Sequence, residues 1–283
     1  KKRNPRIILA SISGFGQDGP YARRPGFDQI AQGMGGLMSI TGEPGKGPMR
    51  VGIPVADLTA GLFCAMGIQT ALLEREKSGI GQWVKTSLLQ AQIFMLDFQA
   101  ARWLMKEEVA PQVGNEHPTS IPTNRFLTQD GAVNIAVAGN ETWRRLCDAL
   151  GKPEWFEHND YKTNADRREN RDRLNGEIAD IIATKTSAEW VDALTAAGVP
   201  CGPIYKIDEM FADPQVQHLG IAQPLHTVPF GDTHAMGQPV QLTRTPSQLV
   251  GSPPTRGEHT LEILEELGIN ADQAATLKDN SIV

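Results

Sequence analysis

One aspartate stands out by its position. In Gly52-Ile53-Pro54-Val55-Ala56-Asp57-Leu58-Thr59-Ala60-Gly61 a short apolar run ends at Asp57, and a long stretch of small and apolar residues follows. Pro54 fits an extended segment, and the spacing predicts Asp57 at the N-cap of a helix over 58–76 that closes at Lys77-Ser78-Gly79. A carboxylate there has two compatible uses. It caps the helix, stabilising it by about 1 kcal/mol. Alternatively, the helix dipole and unpaired N–H groups keep a partly desolvated carboxylate ionised for nucleophilic attack.

Other chemistry-bearing residues are weaker candidates on spacing alone. Gly14-Phe15-Gly16-Gln17-Asp18-Gly19 matches G-x-G-x-x-G in form, but Pro20 and Pro25 interrupt the helix that such a fingerprint opens. No acidic residue ends a second strand nearby, so this is not a dinucleotide site. It reads as a backbone-lined loop at the end of a strand, either a ligand site or a tight turn. Arg23 and Arg24 either meet phosphates or are solvated. His117 fits a hydrogen-bonding role in a linker better than catalysis. Cys201, in Val199-Pro200-Cys201-Gly202-Pro203, has no histidine close in sequence and fits a rigid turn better than a reactive thiol. The chain has no G-x-S-x-G elbow, no G-x-x-x-x-G-K-[ST] loop, no H-E-x-x-H and no Cys/His spacing for zinc. What remains is carboxylate or acid–base chemistry without a cofactor.

The elements that must position these groups follow from apolar patterning. A continuous apolar run over 6–12 predicts a central strand of a parallel sheet. A helix runs from about 26 to 38, and a glycine- and proline-rich loop over 42–48 leads to the Asp57 segment. The helix after Asp57 is apolar nearly all round, with Gly61, Ala65 and Gly67 permitting close approach, so it is expected inside the protein. Thr59, Gln69 and Thr70 leave its apolar part short of a membrane span. A strand over 82–87 and a helix over 88–105 follow. Residues 107–123 then read as a linker, with three prolines.

Beyond it, strands over 126–128 and 132–138 form a hairpin across Gln129-Asp130-Gly131. Helices are predicted over 142–150, 167–184 and 187–197, the last opened by the capping box Thr186-Ser187-Ala188-Glu189. The charge alternation over 166–173 reads as a solvated face. Residues 223–254 are expected as short strands or an extended return path, before a final helix over 258–267.

The chain has 283 residues, 40% hydrophobic and 21% charged, enough for one large or two modest domains. A net charge of −6 and the lack of a basic stripe exclude nucleic acid as the main partner. Three separated cysteines suit a reducing compartment, with cytoplasm as the default. The opening Lys1-Lys2-Arg3-Asn4-Pro5 has no methionine and no signal-peptide pattern, and it runs straight into a strand, so a preceding segment is expected to be absent.

Taken together, Ser13-Gly14-Phe15-Gly16-Gln17-Asp18-Gly19-Pro20, Arg24-Pro25-Gly26-Phe27-Asp28 and Val55-Ala56-Asp57 closely resemble the class III CoA-transferases, which include formyl-CoA transferase and carnitine CoA-transferase. The likeness continues through Lys77-Ser78-Gly79-Ile80-Gly81-Gln82, Asp130-Gly131, Gly198-Val199-Pro200-Cys201-Gly202-Pro203, Asp213-Pro214-Gln215-Val216 and Gly257-Glu258-His259-Thr260, in family order.

The resemblance implies an α/β fold: a Rossmann-like large domain, incomplete at its N-terminus, plus a small α/β domain, in an interlocked-ring homodimer. It divides the chain into the large CoA-binding domain (1–106), a linker (107–123), the small domain (124–222) and a return segment whose C-terminal helix packs on the large domain (223–283). It makes Asp57 the nucleophile for CoA transfer from an acyl-CoA to a carboxylic acid, through an aspartyl anhydride and an aspartyl-CoA thioester. Gly14, Phe15, Gly16, Arg24, Pro25, Gly26, Phe27 and Asp28 line CoA, which is a substrate. No metal and no tightly bound cofactor are implied, nor is a membrane partner.

The sequence does not name the two acids, and a small dicarboxylate such as succinate is the expected donor. The linker around Val113-Gly114-Asn115-Glu116-His117 lacks the glycine run of formyl-CoA transferase, which argues against formate or oxalate. The alternatives are a racemase of the same fold and a non-catalytic scaffold subunit. Where the racemase carries its histidine this chain has Phe27, whose ring cannot exchange a proton.

Overall fold

A computed structural model describes residues 3–283. Lys1 and Lys2, on which the absent-segment expectation partly rests, lie outside the described residues. The chain divides into two compact units, Lys1–Ile204 and Tyr205–Val283.

The first unit begins with β1 (Leu9–Ser13), α1 (Asp28–Met34), α2 (Leu37–Ile40), α3 (Val55–Ser78), β2 (Trp83–Ser87), α4 (Leu88–Phe94) and α5 (Phe98–Lys106). β1 and β2 pair in parallel, from Leu9 opposite Trp83 to Ser13 opposite Ser87, with the α1 to α3 segment as the crossover. The expected parallel pairing is present. The expected burial of β1 is not: Leu9 and Ile12 are exposed, because β1 has one paired neighbour among the described residues.

α3 departs from its expected all-round burial in the same way. Ala56, Thr59, Ala60, Cys64 and Ala71 are buried, whereas Leu58, Leu62, Met66 and Leu73 face outward. Of the small residues expected at close contacts, Gly67 lies against Val84, where an added Cβ would come within 2.7 Å of the valine side chain. Gly61 faces open space and Ala65 is exposed. At 24 residues α3 is also long and apolar enough to cross a membrane by length and composition, which corrects the shorter apolar span read from sequence. The single helix expected over 88–105 is broken between α4 and α5, where Asp97 adopts φ 48°.

The rest of the first unit is β3 (Thr123–Leu127), β4 (Ala132–Ala136), α6 (Gly139–Ala149), a 3-10 turn (Pro153–Phe156), α7 (Asn164–Glu169), α8 (Arg171–Ile182), α9 (Ser187–Ala196) and β5 (Cys201–Pro203). β3, β4 and β5 form an antiparallel sheet. The hairpin and the Thr186–Glu189 capping box appear where expected. The 199–203 segment, expected as a turn, contributes β5, because Gly202 and Cys201 pair with Asn134 and Ile135. Arg167 is not on a solvated face. It is buried, with Nε donating to the Ile121 carbonyl at 2.7 Å and Nη1 to the Tyr161 carbonyl at 2.9 Å.

The second unit contains α10 (Ile207–Ala212), α11 (Pro214–Leu219), a hairpin of β6 (Ala222–Thr227) and β7 (Gly231–Met236), and the helices α12 (Thr260–Glu266) and α13 (Ala271–Asp279). Sequence reading missed α13, which is opened by an Asn270–Gln273 capping box.

Candidate active site

The start of α3 differs from its sequence reading by one turn. The helix begins at Val55, so Asp57 lies in its first turn rather than at the N-cap, where Pro54 stands. The carboxylate that serves the helix start comes from α1. Asp28 is 8% exposed; its Oδ1 accepts a hydrogen bond from the Ala56 N–H at 2.9 Å and its Oδ2 accepts one from Gln32 Nε2 at 2.7 Å. Gln32, four residues further along α1, accepts from the Val51 N–H at 2.9 Å and donates to the Ile53 carbonyl at 3.3 Å. Two side chains from one helix face therefore pin residues 51–56 and fix where α3 begins.

Asp57 is left without capping work. Its side chain is exposed and makes no hydrogen bond among the described residues, in contrast to the partly desolvated carboxylate expected from sequence. As an acidic residue in the first turn of a 24-residue helix it lies at the positive end of the helix dipole.

The glycine loop follows β1. Ser13 Oγ accepts from the Gly16 N–H at 3.0 Å, and Gly16 takes φ 112°, a conformation that a side chain would strain. The Gly14 carbonyl accepts from the Leu89 N–H at 3.1 Å, tying the loop to the start of α4. Gly14 and Gly26 cross backbone against backbone, so a Cβ on Gly14 would lie 2.8 Å from Gly26 Cα. The crossing brings together two segments singled out in the sequence, Gly14 to Gly16 and Arg24 to Asp28. Phe27 flanks α1 and is 76% exposed. Arg24 lies over the Tyr21 ring, 3.7 Å from its centroid, and Phe15 meets the same ring edge-on at 5.9 Å. A continuous path of contacts thus runs from Gly14 to Gly26, through Asp28, to the residue before Asp57.

Asp28 was singled out as a CoA-lining residue, and its role in starting α3 was not read; nor was that of Gln32. The signal was an Asp-x-x-x-Gln pair at helical spacing, which has no meaning until the 51–56 segment folds onto it.

The other candidates have structural roles. His117 Nδ1 accepts from the Thr119 and Ser120 N–H groups at 3.2 and 3.0 Å, as suits a linker residue. Burial pushes the Cys201 thiol up to about 11 and the Cys147 thiol up to about 12, which removes both as thiolates near neutrality.

Residues 1–260 match the family described as CoA-transferase family III. The chain is 39% identical over 269 residues to the succinate–glutarate CoA-transferase of Agrobacterium fabrum, covering 93% of this chain and 66% of that protein. It is 32% identical over 263 residues to the succinyl-CoA:glutarate CoA-transferase of Homo sapiens, covering 93% of this chain and 60% of that one. The crystal structure of a CAIB/BAIF family protein from Brucella suis superposes with a TM-score of 0.79 at 32% identity, over 93% of this chain and 68% of its own. The chain therefore spans between 60% and 66% of the length of these two curated relatives.

Proposed function

This chain belongs to CoA-transferase family III, and on that premise we propose that its protein moves CoA from an acyl-CoA thioester to a free carboxylic acid, with Asp57 as the nucleophile. One observation carries the reading. Asp57 is an exposed carboxylate with no competing hydrogen bond among the described residues, on a helix start that the buried Asp28 holds in place.

A carboxylate oxygen of Asp57 attacks the donor thioester carbonyl, the C–S bond breaks, and CoA leaves as thiolate from a mixed anhydride. The thiolate then attacks the Asp57 carbonyl carbon, displacing the donor acid and leaving an aspartyl-CoA thioester. The acceptor carboxylate attacks that thioester and expels the thiolate again. Attack of the thiolate on the acceptor carbonyl yields the new acyl-CoA and restores Asp57, so no proton or electron is gained or lost. Gly14, Phe15, Gly16, Arg24, Pro25, Gly26 and Phe27 border CoA, with Arg24 on a phosphate and loop N–H groups on the developing oxyanion. Asp28 acts in this reading through the backbone that carries Asp57.

Relatives named for succinate, glutarate and mesaconate support small dicarboxylic acids as donor and acceptor. The reading further assigns the protein to the cytoplasm as a homodimer.

The test is intact-protein and peptide mass spectrometry after exposure to a panel of acyl-CoA donors. An acyl or CoA adduct on the Asp57 peptide is expected. Asp57→Asn should abolish transfer, by a factor of about a thousand or more, with unchanged thermal stability. Retained transfer in that variant would sink the mechanism.

A further inference from the structure

A groove of about 440 Å³ lies between α5 and the segment that leads into β3, within the size range of small-molecule sites. Phe98, Ala101 and Met105 of α5 line it together with Pro118. The three α5 residues are three and four positions apart and so share one helix face. Gly14, Arg24 and Asp57 take no part in it.

Its charge is unbalanced. Glu108 faces three cations, Arg102, Lys106 and Arg168. The Arg102 guanidinium hydrogen-bonds Glu108 and holds its carboxyl below the usual range, and Lys106 and Arg168 add to that attraction. Arg102 is thereby neutralised, whereas Lys106 and Arg168 have no ion-pair partner among the described residues. Two uncompensated positive charges border an apolar wall in a chain of net charge −6.

The wall opposite α5 is set in advance. His117 Nδ1 accepts from the Thr119 and Ser120 N–H groups. Arg171 Nη2 donates to the His117 and Pro118 carbonyls at 3.2 and 3.1 Å. Asn164 donates to the Thr119 carbonyl at 2.8 Å and accepts from the Ile121 N–H at 3.1 Å. A ligand entering the groove meets a backbone that needs no ordering, which favours binding.

We propose that this groove binds a phosphate monoester carried on an alkyl or aromatic body, with Lys106 and Arg168 on the phosphate and Phe98, Met105 and Pro118 along the body. A phosphate monoester brings about −1.5 to −2 charges at one point near pH 7, matching the two free cations. A short dicarboxylate divides the same charge between two ends and leaves the apolar wall uncovered.

Isothermal titration of the full-length protein with hexyl phosphate, phenyl phosphate, inorganic phosphate and glutarate tests this. Saturable one-to-one binding of the two esters is expected, with inorganic phosphate and glutarate at least tenfold weaker. The Lys106→Glu/Arg168→Glu double variant should weaken ester binding at least tenfold. Both side chains are exposed, so the fold should survive, as a thermal melt verifies. Met105→Ser should weaken it severalfold, while Arg24→Ala and Asp57→Asn leave it unchanged, which separates this groove from the transfer site. Absent ester binding, ester binding untouched by the double variant, or glutarate or inorganic phosphate binding as tightly as the esters and lost in the double variant would each overturn the proposal; glutarate binding that the double variant leaves intact belongs to the transfer site.

Discussion

The two halves of the first unit are held by different means. Around β3 to β5 and α6 to α9 the core is built from volume: Trp143, Tyr161, Leu146, Leu174, Ile178, Ile182, Trp190 and Leu194 are all buried, and Trp143 stacks on Trp155 with centroids 6.4 Å apart. Around α1, α3 and α4 the buried cluster is Ala31, Ala56, Ala60, Leu88 and Ala91, with Leu62 and Leu73 outside at 65% and 72% exposure. The first half rests on apolar burial, at about 1.5–3 kcal/mol for each large side chain. The second has little of that, and the backbone around Asp57 is set instead by polar contacts from Asp28 and Gln32. Large-side-chain burial and the proposed site thus fall in different halves.

The largest test of that contrast is a pair of truncations measured by urea unfolding. Trp143→Ala should cost about 3–5 kcal/mol, because it empties a fully buried site. Leu62→Ala should stay within about 0.5 kcal/mol. A loss above about 2 kcal/mol at Leu62 would show the α3 face to be covered in solution and would break the contrast.

A middle-sized effect is expected at Asp28. Asp28→Ala leaves the buried Ala56 N–H without its acceptor and Gln32 Nε2 with only the longer bond to the Ile53 carbonyl, at a cost of about 1–3 kcal/mol. Transfer should fall about tenfold to a hundredfold through kcat, with KM for acyl-CoA changed less, because Asp57 remains but its helix start loosens. A variant as active as the parent would show that Asp57 needs no such support.

These halves also differ in how much of them could be read beforehand. The β3–β4 hairpin and the Thr186–Glu189 capping box were legible because their determinants lie within a few residues of one another. So was the parallel pairing of two apolar runs. Asp57 was legible as a helix-start carboxylate, but its place within the turn was not, since the carboxylate that receives the Ala56 N–H at the helix start, Asp28, lies 28 residues before Ala56. The same distance effect hid Arg167. Its buried guanidinium answers the Ile121 carbonyl, 46 residues off, and a charge count along α7 gives no hint of that. The break at Asp97 was invisible because the apolar pattern continues through it.

Gln92 gives a smaller and opposite effect. It is fully buried on α4, beside the alanine cluster, with neither amide atom paired among the described residues. Its side chain fits because residue 35 is glycine: a Cβ there would lie 2.5 Å from Gln92 Cγ. Gln92→Met keeps the shape and removes two unpaired polar groups, so stability should be unchanged or rise by about 1 kcal/mol. A loss of 2 kcal/mol or more would mean that the amide is paired in solution, and the helix-start half would then hold more polar contacts than Asp28 and Gln32 supply.

The smallest effect probes the volume-built half through charge. Asp130, in the β3–β4 turn, accepts from the Ser187 N–H at 2.8 Å and from Thr128 Oγ1 at 3.1 Å, and these hydrogen bonds hold its carboxyl below the usual range. A carboxyl lowered by folding contributes stability that is fully present above its unfolded pKa, about 3.9, and that is lost as pH falls through its folded value. Asp130→Asn keeps an acceptor oxygen and removes the charge. Its Tm should lie no more than about 2 °C below the parent at pH 7, and the gap should close below about pH 3. A gap that stays constant with pH would place the role of Asp130 in turn geometry. This half would then owe its turn to shape, as it owes its core to volume, and charge-based positioning would belong to the Asp57 half alone.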